Sequence, residues 1–471
     1  MFILCRKIAG VLFYLLLILW VSACSRPQTD VLRFGLASSP ITLDPRLATD
    51  ATSARINRLL YRRLVEFDES FTPIPSLADW QRVTPEHYRF KLKREGRDFH
   101  QGDYLNSYDV KATYDYILDE KNASPHRTIL SVINHIETPD ENTIDFYLDK
   151  PDTLFPGYLV IGILPARLIE QAHSFNRLPV GSGPFRLIAW PENGKVQLQR
   201  LSDNQTIEFI HIANPTVRVL KLIRGEIDMM QNDLLPELVT YLSKRKDVTV
   251  QKGAGSNFTY LGFNMDDQIV GKQDVREAIA YALDREAIIK YVMGESARRA
   301  SALLIPEHWA GNPGLSLIEY NPQKARALLT QAGYDKKYPV EITYKTSSDP
   351  FRIRLATVIQ NQLEKVGIKV YIRSYDWGTF YGDIKSGRFQ MYSLSWVGIK
   401  TPGIFQYVFH SKSVPPNGAN RGRYNNERAA YWSKVAQGSG KRTDIAGASK
   451  KLQTVYIQQD QYSPLRHTDT M

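Results

Sequence analysis

The stretch FRIRLATVIQNQLEKVGIKVYI, residues 351–372, reads as a helix from Phe351 to Val366 stopped at Gly367. Glycine adopts the left-handed conformation that ends helices without steric penalty. The strand that follows, Ile368-Lys369-Val370-Tyr371-Ile372, alternates apolar and polar side chains, as a half-buried strand does. Helix, glycine and strand in this order predict an α/β chain whose helices cover sheets. The same logic extends towards the N-terminus. Asn321-Pro322 opens a helix with Ala325, Leu328, Leu329 and Ala332 on one side and Gly333 as its stop. Val275, Ala278, Ile279, Ala282 and Leu283 form a stripe at helical spacing. Asn106 or Ser107 caps a helix whose inner face carries Val110, Tyr114 and Ile117. Tyr88-Arg89-Phe90-Lys91-Leu92 alternates as a strand, and Val31–Leu36 begins the folded body. No short repeat or low-complexity segment interrupts this pattern.

At 471 residues the chain is long enough for two or three domains. Charged residues make up 23% and hydrophobic ones 43%, an ordinary globular balance. The formal charge of +11 comes from scattered Lys and Arg without a basic run, which reads as a solvated surface and argues against nucleic-acid binding. Arg6 and Lys7 precede an almost unbroken apolar run, Ile8 to Val21, with the length of a signal-peptide core. Val21-Ser22-Ala23-Cys24 resembles a bacterial lipobox, which implies a signal peptide over 1–23, lipid on Cys24 and a tether over 24–30. The cysteines are Cys5 and Cys24. The exported chain would then carry no thiol free for a disulfide, a metal or catalysis. None of the nine histidines stands in a zinc-protease pattern. There is no nucleophile elbow and no phosphate-binding loop. The expectation is no cofactor, no metal and no enzymatic activity.

Further motifs occur in a definite order: Leu43-Asp44-Pro45, then Phe99-His100-Gln101-Gly102-Asp103, then Gly181-Ser182-Gly183-Pro184-Phe185. Leu222-Ile223-Arg224-Gly225-Glu226-Ile227-Asp228 and Gly262-Phe263-Asn264 follow, the latter leading into Leu283-Asp284-Arg285. This ordered set resembles the family 5 extracellular solute-binding proteins of ABC importers, the oligopeptide- and dipeptide-binding kind, from about Val31 to about Tyr462. The resemblance implies a two-lobe periplasmic-binding-protein fold of type II, in its large peptide-binder class. Lobe one would comprise 31–262 plus 455–471, with an extra subdomain over 56–179, and lobe two 263–454. Lobes joined by a hinge would close on a peptide-like ligand. The implied partners are importer permease subunits and, through Cys24, a membrane. The implied state is a monomer in the periplasm or cell envelope.

In the family, the segment beginning at Trp396 carries an aspartate that pairs with the ligand's free amino group. Here no carboxylate occurs between Trp396 and Phe405, and Lys400 and Thr401 stand near the expected place. This departure implies either a ligand without a free ammonium there, or one carrying an anionic group, or an acid supplied from elsewhere. Arg352 and Arg354 lie where the family can place a carboxylate-binding arginine, or are simply exposed. Trp377 matches a family aromatic. Ser38 and Asn264 complete the ligand-binding candidates. The loop 417–424, with Asn420, Arg421 and Arg423, reads as a solvated lobe edge. The tail after Tyr462 reads as short of the family's last strand and helix, which would leave an unpaired sheet edge in lobe one. Fold does not fix function. A non-transport envelope interaction or chaperone lipoprotein, and a binder of a metal chelate, haem or oligosaccharide, stand as alternatives.

Overall fold

A computed structural model describes residues 31–470 apart from 192–194, 232–233, 252, 294–296, 417, 439–440 and 459–461. Cys24 and the apolar run before it lie outside the described residues, as does Asn417.

Residues 351–372 fold as a helix over Pro350–Glu364, capped by the Asp349 side chain on the Arg352 amide, and a strand, β15 (Ile368–Tyr375). Gly367 between them has φ +95°. β15 lies parallel to β14 (Val340–Ser347), so the helix is the crossover of a β–α–β unit. A second crossover through the helix Trp377–Ser386 brings β16 (Met391–Trp396) parallel to β14 on its other side. The first helix buries Leu355, Ala356, Ile359 and Leu363 in a core shared with Val340, Ile342, Val370 and the stripe Val275, Ala278, Ile279 and Ala282. Each buried Val, Leu or Ile among them stabilises the fold by roughly 1.5–3 kcal/mol. This sheet continues through β12 (Gly253–Phe263), β17 (Tyr462–Thr470) and β13 (Ala297–Arg299), in the order β13-β17-β12-β16-β14-β15. It is the sheet of lobe two.

Lobe one is built on a five-stranded sheet of β1 (Val31–Leu36), β8 (Phe185–Ala189), β9 (Val196–Arg200), β10 (Thr206–His211) and β11 (Met229–Met230). β1 runs parallel to both β10 and β11. The extra subdomain is an antiparallel sheet of β4 (Ala78–Thr84), β5 (His87–Leu92), β6 (Ile133–Asp140) and β7 (Thr143–Leu148), ordered β4-β5-β7-β6. In β5, Tyr88, Phe90 and Leu92 face inward and Arg89 and Lys91 outward. The helix Ser107–Leu118 covers this sheet with Val110, Tyr114 and Ile117, all fully buried. Its start is a capping box between Asn106 and Asp109. A small hairpin, β2 (Val65–Phe67) and β3 (Pro73–Pro75), projects from the subdomain.

The glycine-rich motifs act on the fold. A Cβ on Gly181 would stand 2.0 Å from the Leu60 carbonyl oxygen, and one on Gly183 would stand 2.3 Å from that of Leu59. The turn therefore accepts only glycine where it presses on the helix Ala51–Leu60. The same turn receives the His100 motif: the His100 amide donates to the Gly181 carbonyl at 2.8 Å, and its Nε2 lies 3.0 Å from that of Gly183. Asp228, the last residue of the Gly-Glu-Ile-Asp segment, accepts from the Arg33 Nε and Nη2, both at 3.0 Å, and so fastens β11 to β1.

Three boundaries differ from the sequence expectation. β12 and β17 belong to the sheet of lobe two, so residues 253–262 and the tail 462–470 are not part of lobe one's sheet. β17 is paired on both sides, by β12 and β13, and no open edge of lobe one results from it. The subdomain is narrower than 56–179: its core runs from Leu64 to Ile163, whereas Ile56, Leu60, Leu164, Leu168 and Phe175 pack into the core of lobe one's main sheet.

Candidate ligand site at the lobe boundary

β16 ends at Trp396, and the chain then crosses to lobe one before the short helix Ile404–Phe409. The crossing is close. A Cβ on Gly157 would lie 3.2 Å from Phe67 Cζ and 3.3 Å from Thr401 Cγ2, so these three residues meet. The Lys400 ammonium sits 5.0 Å from the centroid of the Phe67 ring. The tip of the β2–β3 hairpin touches lobe two beside it. Phe71 packs on His308 with ring centroids 5.2 Å apart, and Arg442 Nη2 donates to Thr72 Oγ1 at 2.9 Å. His308 Nδ1 accepts from the Ala310 amide at 3.0 Å, which leaves the proton on Nε2 to donate to the Lys400 carbonyl at 3.1 Å. Burial, with help from Arg442, holds the His308 pKa below its ordinary value, consistent with this neutral ring.

The electrostatics of the crossing are basic. Arg58 Nη2 and Arg63 Nη1 approach the Glu66 carboxylate at 3.4 and 3.7 Å. Burial pushes the Lys400 pKa down; Arg58 and, more weakly, Arg63 push the same way, and Glu66 opposes them. The Glu66 carboxylate thus faces both arginines.

Trp396 begins an aromatic wall. It meets Tyr407 edge-on at 6.2 Å, and the Arg421 guanidinium lies 4.9 Å from its ring. Arg421 donates to the Tyr260 and Tyr381 hydroxyls, both at 3.2 Å. Trp377, 58% exposed, stacks on Tyr381 at 5.3 Å. The Trp396 indole N–H is buried without a partner among the described residues, a polar group that a ligand can satisfy. Arg352 Nη2 donates to Ser395 Oγ at 2.9 Å, which places it beside the same strand end. Below the crossing, a cavity of 240 Å³ opens between the subdomain and lobe two, lined by Lys150, Asp152, Tyr158, Gly403 and Tyr407 among others. Tyr158 donates to Asp152 Oδ2 at 3.1 Å.

Trp396, Lys400, Thr401, Arg352 and Trp377 therefore gather on or beside the end of β16. Three other candidates do not join them. Arg354 reaches lobe one and pairs with Glu237 at 3.2 Å, so it straps the lobes together. Asn264 follows the opposite end of β16, because Phe263 pairs with Met391 while Phe258 pairs with Trp396. Its Nδ2 holds the Gly387 and Phe389 carbonyls. Ser38 lies in the loop after β1, sharing a 2.8 Å hydrogen bond with Thr52. Over 418–424 the loop read as a solvated edge is buried or half-buried instead. Asn420 is fully buried, donating to the His410 and Tyr424 carbonyls and accepting from the Tyr424 amide. That network buries Arg421 against the aromatic wall. Tyr381 and Tyr407 were missed; Tyr381 was accessible from its i,i+4 spacing to Trp377.

Residues 46–415 match the family described as bacterial extracellular solute-binding proteins, family 5 (middle). The chain is 25% identical over 461 residues to the dipeptide-binding protein of Escherichia coli (strain K12), covering 89% of this chain and 85% of that one. The periplasmic binding protein DppA of Helicobacter pylori, solved with the peptide STSA, superposes with a TM-score of 0.82 at 26% identity over 93% of each chain. NikZ of Campylobacter jejuni, solved with Ni(L-His), shares the fold with a TM-score of 0.83 at 22% identity over 94% of each chain. With two sheets meeting at such a boundary and the family pattern spanning most of its length, this chain belongs to the family 5 bacterial extracellular solute-binding proteins.

Proposed function

We propose that the protein is the solute-binding component of an ABC-type importer, taking a peptide-like ligand between its lobes and closing on it by hinge motion. The observation that carries this reading is the crossing of residues 396–403 from the end of β16 onto Phe67 and Gly157 of the subdomain. It puts aromatic surface, an unsatisfied indole N–H and charged groups from both lobes at one boundary. Such a place suits a ligand with an amide backbone and variable side chains. The importer's permease subunits are the partners, contacting the closed form. The protein acts as a monomer in the periplasm, tethered by lipid on Cys24, and needs no cofactor.

The test is thermal unfolding of the purified protein against di- and tripeptides, amino-blocked peptides, Ni(L-His), haem and oligosaccharides. A bound peptide at a hundredfold excess over its dissociation constant adds about 2.7 kcal/mol of stability, read as a raised midpoint. A midpoint moved by Ni(L-His), haem or a sugar but by no peptide replaces the peptide-like ligand with that solute.

A further inference from the structure

The 240 Å³ cavity below the crossing has one wall from each body. The subdomain contributes Asp149, Lys150, Asp152 and Tyr158, and lobe two contributes Gly403 and Tyr407. The walls touch at one edge, where a Cβ on Gly403 would stand 3.4 Å from the Tyr158 hydroxyl oxygen. The charged side chains lining the cavity are two carboxylates and one ammonium, a negative balance. Asp152 is 9% exposed and makes no ion pair among the described residues. Its Oδ1 accepts from the Leu154 amide at 2.9 Å and steadies the turn before Phe155. Its Oδ2 accepts only from the Tyr158 hydroxyl, at 3.1 Å. A carboxylate oxygen offers two lone pairs, so Oδ2 has one to spare. Burial raises the Asp152 pKa above the ordinary aspartate value, although the Leu154 amide, the Tyr158 hydroxyl and the charges of Lys150 and Arg82 all pull the other way. The ionised carboxylate is therefore short of compensation, and a cation brought in from outside supplies it. Tyr407 is 39% exposed and meets Trp396 edge-on, so the cavity adjoins the aromatic wall.

We infer that Asp152, Tyr158 and Tyr407 form a pocket that receives a cationic nitrogen of the bound solute, an ammonium or a guanidinium. This rests on the solute-binding reading above and adds a charged group of the ligand to it. Asp152 supplies the charge and a charge-assisted hydrogen bond. Tyr158 holds the carboxylate in place through its hydroxyl. Tyr407 supplies an aromatic ring, whose π system attracts a cation. The carboxylate belongs to the subdomain and the Tyr407 ring to lobe two. A cation reaches both only when the two bodies are together, so it stabilises the closed arrangement more than the open one, which is the condition for a ligand to drive closure.

The experiment compares the full-length protein with its Asp152→Asn and Tyr407→Leu variants by thermal unfolding and titration calorimetry. Four probes are used. N-acetyl-Ala-Lys-Ala-amide carries a side-chain ammonium, and Ala-norleucine-Ala-amide carries a terminal one. N-acetyl-Ala-norleucine-Ala-amide is neutral, and 1,5-diaminopentane is cationic without a peptide. The parent is expected to bind at least one cationic peptide about tenfold more tightly than the neutral one, and the better of the two assigns the ammonium to a side chain or to the chain end. Asp152→Asn, which keeps an acceptor for the Leu154 amide, is expected to erase that preference. Tyr407→Leu is expected to reduce it about threefold. Should Asp152→Asn fail to fold, Tyr407→Leu leaves the Leu154 turn intact and carries the test alone. Equal binding of cationic and neutral peptides by the parent overturns the pocket while leaving a peptide receptor standing. A preference unchanged in both variants overturns it too, because the cation is then held elsewhere. A response to 1,5-diaminopentane that Asp152→Asn removes, with no response to any peptide, keeps the pocket and overturns the peptide-like ligand. No response of the parent to any cationic probe overturns the pocket.

Discussion

Two glycine-bearing loops of this protein, Gly181–Phe185 and Trp396–Gly403, differ in what surrounds them. In the first, the backbone of the neighbouring helix leaves no room for a side chain at Gly181 or Gly183, and His100 and Arg62 hold the turn through its carbonyls. In the second, Gly398 has φ +68° but nothing within 4 Å of where a Cβ would stand, and Val397 beside it is 61% exposed. The first loop is dictated by packing and serves the fold. The second is held by Trp396, by the buried Ile399, by the Lys400 carbonyl on His308 and by Thr401 against Gly157, and only its tip at Val397 and Gly398 stands open. Sequence departs from the family resemblance in the second loop, at Lys400, which is half-buried against Phe67.

The contrast is sharpest in Gly181→Ala. Its Cβ meets a backbone oxygen rather than a movable side chain, so a loss of about 3 kcal/mol is expected in urea unfolding; a loss below about 1 kcal/mol would break the comparison. Asn420→Ala tests the loop behind the aromatic wall. It removes three hydrogen bonds to buried backbone groups, and about 2 kcal/mol should be lost, with weaker ligand binding as Arg421 loosens. Gly398→Ala should lose only about 1 kcal/mol, the strain of a left-handed residue in open space. The smallest effect belongs to Lys400. Its folded pKa lies below the ordinary lysine value, so between the two the unfolded state binds more protons and stability rises with pH. The parent should therefore gain stability relative to Lys400→Gln as pH climbs through the window below about 10.4, in paired melts without ligand. A difference that stays flat or falls with pH would mean that neither burial nor the nearby arginines hold the Lys400 pKa down.

Much of the fold was legible because it rests on local rules. The helix Ser107–Leu118, with Asn106 as its cap, and β5, with its alternation, follow from short-range sequence alone. The lobe boundaries did not follow. β12 and β17 are 199 residues apart at their near ends, Phe263 and Tyr462, and nothing in either strand names its partner. At the site, Trp377 and Trp396 stood out as large aromatics, and Lys400 as a break in an acidic pattern. Arg354 and Asn264 were indistinguishable by composition from ligand-binding residues. Only the structure gives their partners, Glu237 in one case and the Gly387 and Phe389 carbonyls in the other. Asn420 and Arg421 read as solvent-facing because polar loops usually are. A buried network reverses that reading.

The sequence by itself determined the α/β alternation, the helix caps and stops, the glycines demanded by tight turns, and the family. Each is set by residues within a few positions of one another or by motifs in linear order. The tertiary structure alone decided which lobe receives the last strand, that Arg354 pairs with Glu237 across the lobes, and that Lys400 packs over Phe67 across their boundary. Charge and burial at that boundary depend on groups more than 330 residues apart in the chain, Glu66 and Lys400 among them, and such neighbours come together only when both lobes are folded and packed.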